Sequence, residues 1–456
     1  MIRFYNSLTR QKEEFKPREK RRISFYTCGP TVYDFVHIGN LRTYIFQDFL
    51  RRILERAGYK VYQVMNITDI EDKIIRDSRK KGEDIFIFTR RYEKIFFNDL
   101  ASLNIKKSWR YPRATEHLKE IISLIKELLE RGLAYESGGS VYFNIAKFPK
   151  YGELSHLDKS GLKAGARVET DEYNKEDVRD FILWKTKKEG EPFWPSPWGE
   201  GRPGWHIECS AMSMKYFGKT LDIHSGGVDL LFPHHENEIA QSEGATGAPF
   251  VRYWLHAEHL LVDGQKMSKS LGNFYTLRDL EEKGYSPLDF RYLIFSSHYR
   301  SRLNFTWESL SAAKQARERL EDFARELASK KIKGSKEFAE KHNRGFSDAL
   351  ADDLNTPQAL AIVWEAIGEY RRGDFDSRKM QKMLFNFDKV LDLNLKKIKP
   401  LKIPAEIKKL AQTREQYRAK KNWEEADRIR GEIKRLGWQV EDTEGEAEIK
   451  KMTNEL

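Results

Sequence analysis

The sequence predicts an α/β protein: a parallel-sheet domain split by an insertion, then an α-helical bundle and a small C-terminal module. Three observations predict it. Strand and helix patterns alternate through the first half, the alternation breaks off and later resumes, and the chain past Ser286 is almost wholly helical in pattern. A strand–helix–strand unit of this length implies parallel strands joined by a right-handed crossover.

Each element follows from its local pattern. Ile23-Ser24-Phe25-Tyr26-Thr27-Cys28 reads as a buried strand that stops at Gly29-Pro30. From Leu41 to Tyr59 the apolar residues Tyr44, Ile45, Phe49, Ile53 and Leu54 recur at helical spacing, and Tyr59 to Asn66 reads as the next strand. Between Pro112 and Trp198 a helix around Glu116 to Arg131 leads to a turn at Gly138-Gly139, a short strand at Val141 to Asn144 and a charged, loop-rich stretch. The sheet pattern resumes at Thr220 to His224 and at Tyr253 to His256, while polar, basic breaks at Ser329 to Lys336 and Lys396 to Pro404 divide the helical half. The expected division is a Rossmann-like domain over 1–111 and 201–260, its insertion over 112–200, a loop and contact region over 261–310, a bundle over 311–395 and a terminal module over 405–456.

Composition narrows the function. A chain of 456 residues is too long for one compact core, and 39% hydrophobic with 12% aromatic residues excludes global disorder. No apolar run approaches the ~20 residues that cross a bilayer, and Met1 to Asn6 lacks the regions of a signal peptide, so a cytoplasmic protein is expected. Cys28 and Cys209 are the only cysteines, which excludes a disulfide framework. A net charge of +11 suits a polyanionic partner such as nucleic acid, and equally an ordinary basic surface.

Two distant segments carry the chemistry. In His37-Ile38-Gly39-Asn40 the glycine lets backbone approach a ligand, and the free N–H groups of a first helical turn attract phosphate. Alone, a histidine before a helix is more often a cap or a core contact. Lys266-Met267-Ser268-Lys269-Ser270 lies between Gly264 and Gly272, and two lysines three apart with interleaved hydroxyls can clamp a departing pyrophosphate. Together the segments resemble the two signature motifs of class I aminoacyl-tRNA synthetases, with Asn40 where a second histidine is more usual. Asparagine still donates a hydrogen bond but carries no charge, so a modest change in phosphate contacts is expected.

Residues suited to a metal recur along the sheet domain. Cys28 ends the first strand, Cys209 lies in Gly204-Trp205-His206-Ile207-Glu208-Cys209, and His234 and Glu238 are spaced to share a helical face. By the same register His235 points elsewhere. Two cysteines and a His–Glu pair also read as packing and surface residues, so spacing alone leaves the metal open.

Longer strings go further. FYTCGPTVYDFVHIGN from Phe25, NITDIEDKII from Asn66, GRPGWHIECSAM from Gly201, IHSGGVDLLFPHHENEIAQSE from Ile223 and WLHAEHLLVDGQKMSKSLGN from Trp254 resemble the signature segments of cysteinyl-tRNA synthetases across nearly the whole chain. Small departures are Glu71, for a more usual aspartate, and Ala257-Glu258, for a more usual small polar pair. The resemblance implies one Zn²⁺ on Cys28, Cys209, His234 and Glu238, binding the substrate thiolate. It implies an ATP site at His37, Gly39, Asn40, Lys266, Ser268 and Lys269, served by Mg²⁺, and a cysteine pocket of Gly29, Thr31, Thr68, Trp205 and Asp229. The implied partners are L-cysteine, ATP and tRNA(Cys), the implied activity an ATP-dependent cysteine–tRNA ligase, and a monomer is expected.

The C-terminal part fits an RNA partner. Asp348 to Pro357 resembles the start of an anticodon-arm bundle, and Arg414, Arg418, Lys421, Arg428 and Arg430 surround Trp423, a mixture suited to stacked bases and phosphates and also found on solvated helix faces. Asp442 to Glu446 keeps only part of the family's closing motif. Two rivals share these features: a ligase joining cysteine to a small amine, which needs no residues 405–456, and an inactive RNA-binding paralogue, which needs no intact lysines or metal positions.

Overall fold

Four parallel strands form the predicted sheet, in the spatial order Val251–Ala257, Leu221–Gly227, Arg22–Thr27 and Lys60–Met65. The computed structural model describes residues 1–157, 162–168, 178–268, 271–329, 337–373, 376–398, 403–441 and 448–451. The central strands are buried on both faces, which explains their apolar runs: helices cover both sides of a parallel sheet. The helix Ile38–Arg56 crosses from the first strand to Lys60–Met65, whereas Leu221–Gly227 joins the first strand on its other side. The direction of winding therefore reverses between Arg22–Thr27 and Leu221–Gly227. Ligand sites in open α/β sheets lie beyond the carboxyl ends of the strands at such a reversal. Cys28 and Gly227 end the two strands there.

The insertion forms its own sheet, with Ala134–Ser137, Ser140–Phe143, Val178–Thr186 and Leu162–Val168 in that order and Gly201–Pro203 added to Val178–Thr186. Two of these strands fall in the stretch expected to be loop-rich. Phe181-Ile182-Leu183-Trp184 is buried throughout and supplies the core of the longer one, but charges on both sides mask it in the sequence. A third small sheet pairs Leu260–Val262 with Gln265–Lys266 and with Leu303–Phe305. Leu303–Phe305 interrupts the helical pattern past Ser286 and is too short to show a period.

Beyond it the helices Trp307–Ser329, Glu337–Ala351, Thr356–Arg372 and Ser377–Leu391 pack around a core that includes Leu350, Val363, Leu384 and the stacked rings of Phe346 and Phe387, 4.2 Å apart. Asn355 and Asp376 cap the third and fourth, each accepting a backbone N–H of the first turn. Residues Met1–Lys396 make one unit and Lys397–Leu456 a second. The second has its own core, with Ile407, Ala411, Ile429 and Ile433 joining two helices to a Trp438–Glu441 and Glu448–Lys451 hairpin. The polar breaks, at 330–336 and 399–402, and the closing motif at 442–447 lie outside the described residues. Among the described residues no helix is long and apolar enough to cross a membrane.

Candidate active site and metal centre

The helix Ile38–Arg56 starts where it does because His37 caps it: the ring Nδ1 accepts the Asn40 N–H at 3.2 Å. That contact leaves Nε2 of the neutral imidazole as the protonated, donating nitrogen. A Cβ on Gly39 would lie 2.9 Å from the His37 ring, so only glycine lets the imidazole fold over the first turn. The Ile38 N–H donates to the Tyr275 carbonyl at 2.9 Å, His37 pairs with Thr276 in an antiparallel bridge, and the His37 ring meets Phe274 edge-on at 5.2 Å. The first signature segment is thus joined through the backbone to the stretch that follows the second. Asn273 holds the second in shape: its Oδ1 accepts the Ser268 N–H at 2.8 Å and its Nδ2 donates to the Lys266 carbonyl at 3.3 Å. Lys269 and Ser270 lie outside the described residues.

A cavity of about 340 Å³ opens at this junction, lined by His37, Gly39, Asn40 and Lys266 on one side and by Cys28, Gly29, Thr31, Trp205 and Asp229 on another. Ser268 and Thr68 do not line it. Thr68 is buried behind the wall, where its hydroxyl donates to Glu208 Oε2 at 3.1 Å and accepts from Asn66 Nδ2 at 3.2 Å, while its backbone bridges Thr31. A Cβ on Gly29 would stand 1.8 Å from the Asn66 carbonyl oxygen, so this close approach of two strand ends admits glycine alone.

Cys28, Cys209, His234 and Glu238 converge at the cavity wall, all buried, with four donor atoms within 4.8 Å of one another. His234 Nε2 lies 3.1 Å from Glu238 Oε1, and Cys28 Sγ lies 3.8 Å from the same oxygen. Burial pushes both thiols up, and Cys28 stays well above its ordinary range. The Cys28 thiol, hydrogen-bonded to Cys209, and His234 beside it overcome burial at Cys209 and bring that thiol down to about 6. Against burial, His224 and His234 hold Glu238 at about 2, while Cys209 and Glu238 lift His234 to about 10. Two sulfurs, one imidazole and one carboxylate form a donor set that suits tetrahedral zinc.

A second grouping shares two of these residues: Cys28, His224, His235 and Glu238. His235 therefore faces the cluster, with Nε2 3.3 Å from Cys28 Sγ, and the sequence-based placement away from it is corrected. Its residue lies in the irregular turn Leu231–His235, ahead of the helix Glu236–Thr246, so helical register does not govern its ring. Hydrogen bonds separate the two sets. His224 Nε2 sits 2.9 Å from the other Glu238 oxygen, His235 Nδ1 2.7 Å from His256, and His206 Nδ1 2.9 Å from His234 Nδ1. Such partners fix tautomer and direction: His224 Nε2 is spent on Glu238 Oε2, whereas His234 Nε2 and Glu238 Oε1 face one another, with His235 Nε2 turned to Cys28. The Trp205 ring lies 4.6 Å from that of His234, tilted by 39°, and links the cluster to the cavity.

In the second unit Arg414 is buried, with 1% of its surface exposed, and its guanidinium pairs with Glu415. It cannot present a charge to RNA, because Ile407, Ala411 and Arg414 share the helix face that packs inward. The other predicted residues are accessible: Arg418 lies over the Trp423 ring at 5.5 Å, Trp423 is 55% exposed, and Lys421, Arg428 and Arg430 are exposed, Arg428 beside Glu425 and Glu432.

Comparison with known proteins decides the family. Residues 14–315 match the family described as "tRNA synthetases class I (C) catalytic domain", 345–394 the DALR domain and 402–449 the "Cysteinyl-tRNA ligase anticodon binding domain". A cysteine–tRNA ligase of Solibacter usitatus is 48% identical over 457 residues, covering 97% of this chain and 98% of that protein, and one of Brachyspira hyodysenteriae is 47% identical with the same coverage. The chain belongs to the cysteinyl-tRNA ligase family. Its fold is also that of a solved methionyl-tRNA synthetase of Mycobacterium tuberculosis in complex with methionyl-adenylate, at 14% identity and a TM-score of 0.62, over 82% of this chain and 90% of that one.

Within this member of the family, sequence reasoning missed several residues. Tyr44, Lys73, Glu258 and His259 line the cavity, His206 and His224 stand behind His234 and Glu238, and His256 stands behind His235. A histidine at the end of the strand predicted over Thr220 to His224 was the available signal for His224. Lys73, at the start of a helix beyond a strand end, gave none.

Proposed function

We propose that the cavity activates L-cysteine with ATP, releasing pyrophosphate, and that the cysteinyl group then passes to the terminal adenosine ribose of tRNA(Cys). The carrying observation is that one cavity is walled by both anion-handling segments and by Cys28 of the buried Cys/His/Glu cluster.

Cys28, Cys209, His234 and Glu238 would hold the zinc ion. When bound, zinc supplies a soft Lewis acid that favours a thiolate over a hydroxyl and lowers the thiol pKa. Trp205 and Gly29 shape the pocket, Thr31 and Thr68 brace its wall, and Asp229 offers its carboxylate to the ammonium group. The reacting carboxylate is already a nucleophile, so these residues place it in line with the α-phosphate rather than deprotonate it. The Gly39 N–H, the Asn40 side-chain amide, the His37 Nε2–H, Lys266, Ser268 and Lys269 meet the charge that gathers as pyrophosphate leaves, with Mg²⁺ accompanying the nucleotide. The acceptor hydroxyl is the 2′ one if the class I pattern holds.

The reading extends to the domains: a Rossmann-like domain over 1–111 and 201–260, its insertion at 112–200, a contact region at 261–310, an anticodon-arm bundle at 311–395 and a terminal RNA-binding module at 405–456. Arg418, Lys421, Trp423, Arg428 and Arg430 are its exposed RNA-facing residues, since cations beside an open indole suit single-stranded bases. The chain acts in the cytoplasm as a monomer.

Charging of a tRNA(Cys) transcript with labelled cysteine tests the proposal. The expected result is ATP-dependent, cysteine-specific esterification. Cysteine-dependent exchange of pyrophosphate without charging would favour a ligase acting on a small amine.

A further inference from the structure

Arg42 stands two residues beyond Asn40 and is 2% exposed, one of the largest buried side chains in the protein. Its guanidinium makes four hydrogen bonds, all to backbone carbonyls. Nη1 donates to Glu258 at 2.7 Å and His259 at 2.5 Å, and Nη2 donates to His298 at 3.4 Å and Ser301 at 2.5 Å. Burying a charge without a carboxylate bonded to it is costly, and an apolar side chain of similar volume would fill the space at less cost. Burial lowers the guanidinium to about 10, with Glu258 offsetting part of the effect, so it remains charged at neutral pH.

The four acceptors explain what the charge is for. Glu258 and His259 line the active-site cavity and lead directly into the hairpin Leu260–Val262 and Gln265–Lys266. His298 and Ser301 precede Leu303–Phe305, the strand that pairs with Leu260–Val262 on its other side. The Glu258 N–H donates to Tyr299 and the Leu303 N–H to His259, closing the ring of segments around the guanidinium. The hairpin bearing Lys266 therefore cannot shift against the first turn of Ile38–Arg56 without breaking bonds to Arg42. Backbone carbonyls, unlike carboxylates, fix chain position and not merely charge.

We propose that Arg42 is a positioning residue for adenylate formation, setting the separation between the His37-Ile38-Gly39-Asn40 turn and the Lys266 hairpin. It touches neither nucleotide nor amino acid; it acts through the carbonyls it holds. The inference rests on the cysteine-activating reading above.

The test is steady-state ATP–pyrophosphate exchange by the full, zinc-loaded chain carrying Arg42→Met or Arg42→Lys, with zinc content and Tm measured alongside. Lysine keeps the charge but cannot reach both pairs of carbonyls, and it decides the matter if the methionine variant does not fold. Displacing one half of the phosphate site by an ångström costs roughly a hundredfold in kcat. The expected result is a loss of that order with KM for cysteine within twofold of the parent and zinc content unchanged. Parental kcat and KM for ATP in a folded variant would overturn the proposal. So would a loss that runs in step with lost zinc and weakened cysteine binding, which marks a purely structural residue. A parent that shows no cysteine-dependent exchange would instead sink the underlying functional reading.

Discussion

At the scale of single residues, the Cys/His/Glu cluster is a set of ionisable groups that burial forces to share charge. In the metal-free state the shifts place a thiolate on Cys209, a carboxylate on Glu238, an imidazolium on His234 and a neutral thiol on Cys28. A metal needs deprotonated donors, so binding must expel one proton from Cys28 and one from His234. Calorimetry at pH 7.5 in buffers of different ionisation enthalpy should report two protons released per zinc, with affinity falling as pH falls. Release of none would contradict the assigned ligands. Cys209→Ala should lose near-stoichiometric zinc, and metal analysis together with exchange assays should show selectivity lost with it. The residue types of this cluster were legible because Cys28, Cys209, His234 and Glu238 stand in distinctive strings. The ring directions were not: His235 sits in a turn without helical register, and Arg414 turned inward because its packing face becomes visible only with its partner helix.

At the scale of elements, the helix Ile38–Arg56 links the phosphate site to the bundle. Its first turn carries His37, Gly39 and Asn40, and its later turns carry Asp48, Arg52 and Arg56. Asp48 Oδ2 accepts from Arg52 at 2.7 Å and from Arg291 at 2.7 Å. Arg52 and Arg291 also donate to carbonyls of Lys389 and Leu391 at the end of the helix Ser377–Leu391. Burial pushes Asp48 up, but Arg291 and Arg52 outweigh it and hold the carboxyl below its ordinary range. The sign follows: a folded-state pKa below the unfolded one gives stability that is present above the unfolded value and lost as pH falls through the folded one. Asp48→Asn removes the anion and strands two buried guanidinium groups, which typically costs ~3–5 kcal/mol. Urea denaturation at pH 7 should show that loss, and the difference from the parent should shrink as the pH approaches the acid limb. An unchanged urea midpoint would argue against the clamp. The same scale shows which elements the sequence revealed. The central strands and this helix have clean periods, whereas Val178–Thr186 hides four buried apolar residues among charges and Leu303–Phe305 is three residues long.

At the scale of the whole molecule, the two units have separate hydrophobic cores, so the small one can be removed without cutting the large one open. A chain ending at Lys396 should keep cysteine-dependent pyrophosphate exchange near the parental rate and lose most tRNA charging. Equal charging by both chains would remove the RNA role of the second unit. In the full chain, tRNA affinity should fall steeply with salt, since Lys and Arg contacts release counterions from the phosphates. The fold and the identity of the ligand-bearing strings were readable from one sequence because a parallel sheet brings strand ends together whatever lies between them. Cys28, at the carboxyl end of a central strand, and Cys209, in the helix Trp205–Phe217, are far apart in the chain yet meet. The central claim is that this meeting makes the enzyme specific for cysteine. A pocket alone distinguishes such isosteres by only ~10–200-fold, so the zinc-loaded chain should exchange pyrophosphate with cysteine over serine by roughly a thousandfold or more, and lose that preference when the metal is removed. Comparable exchange with the two amino acids, or undiminished selectivity without metal, would contradict it.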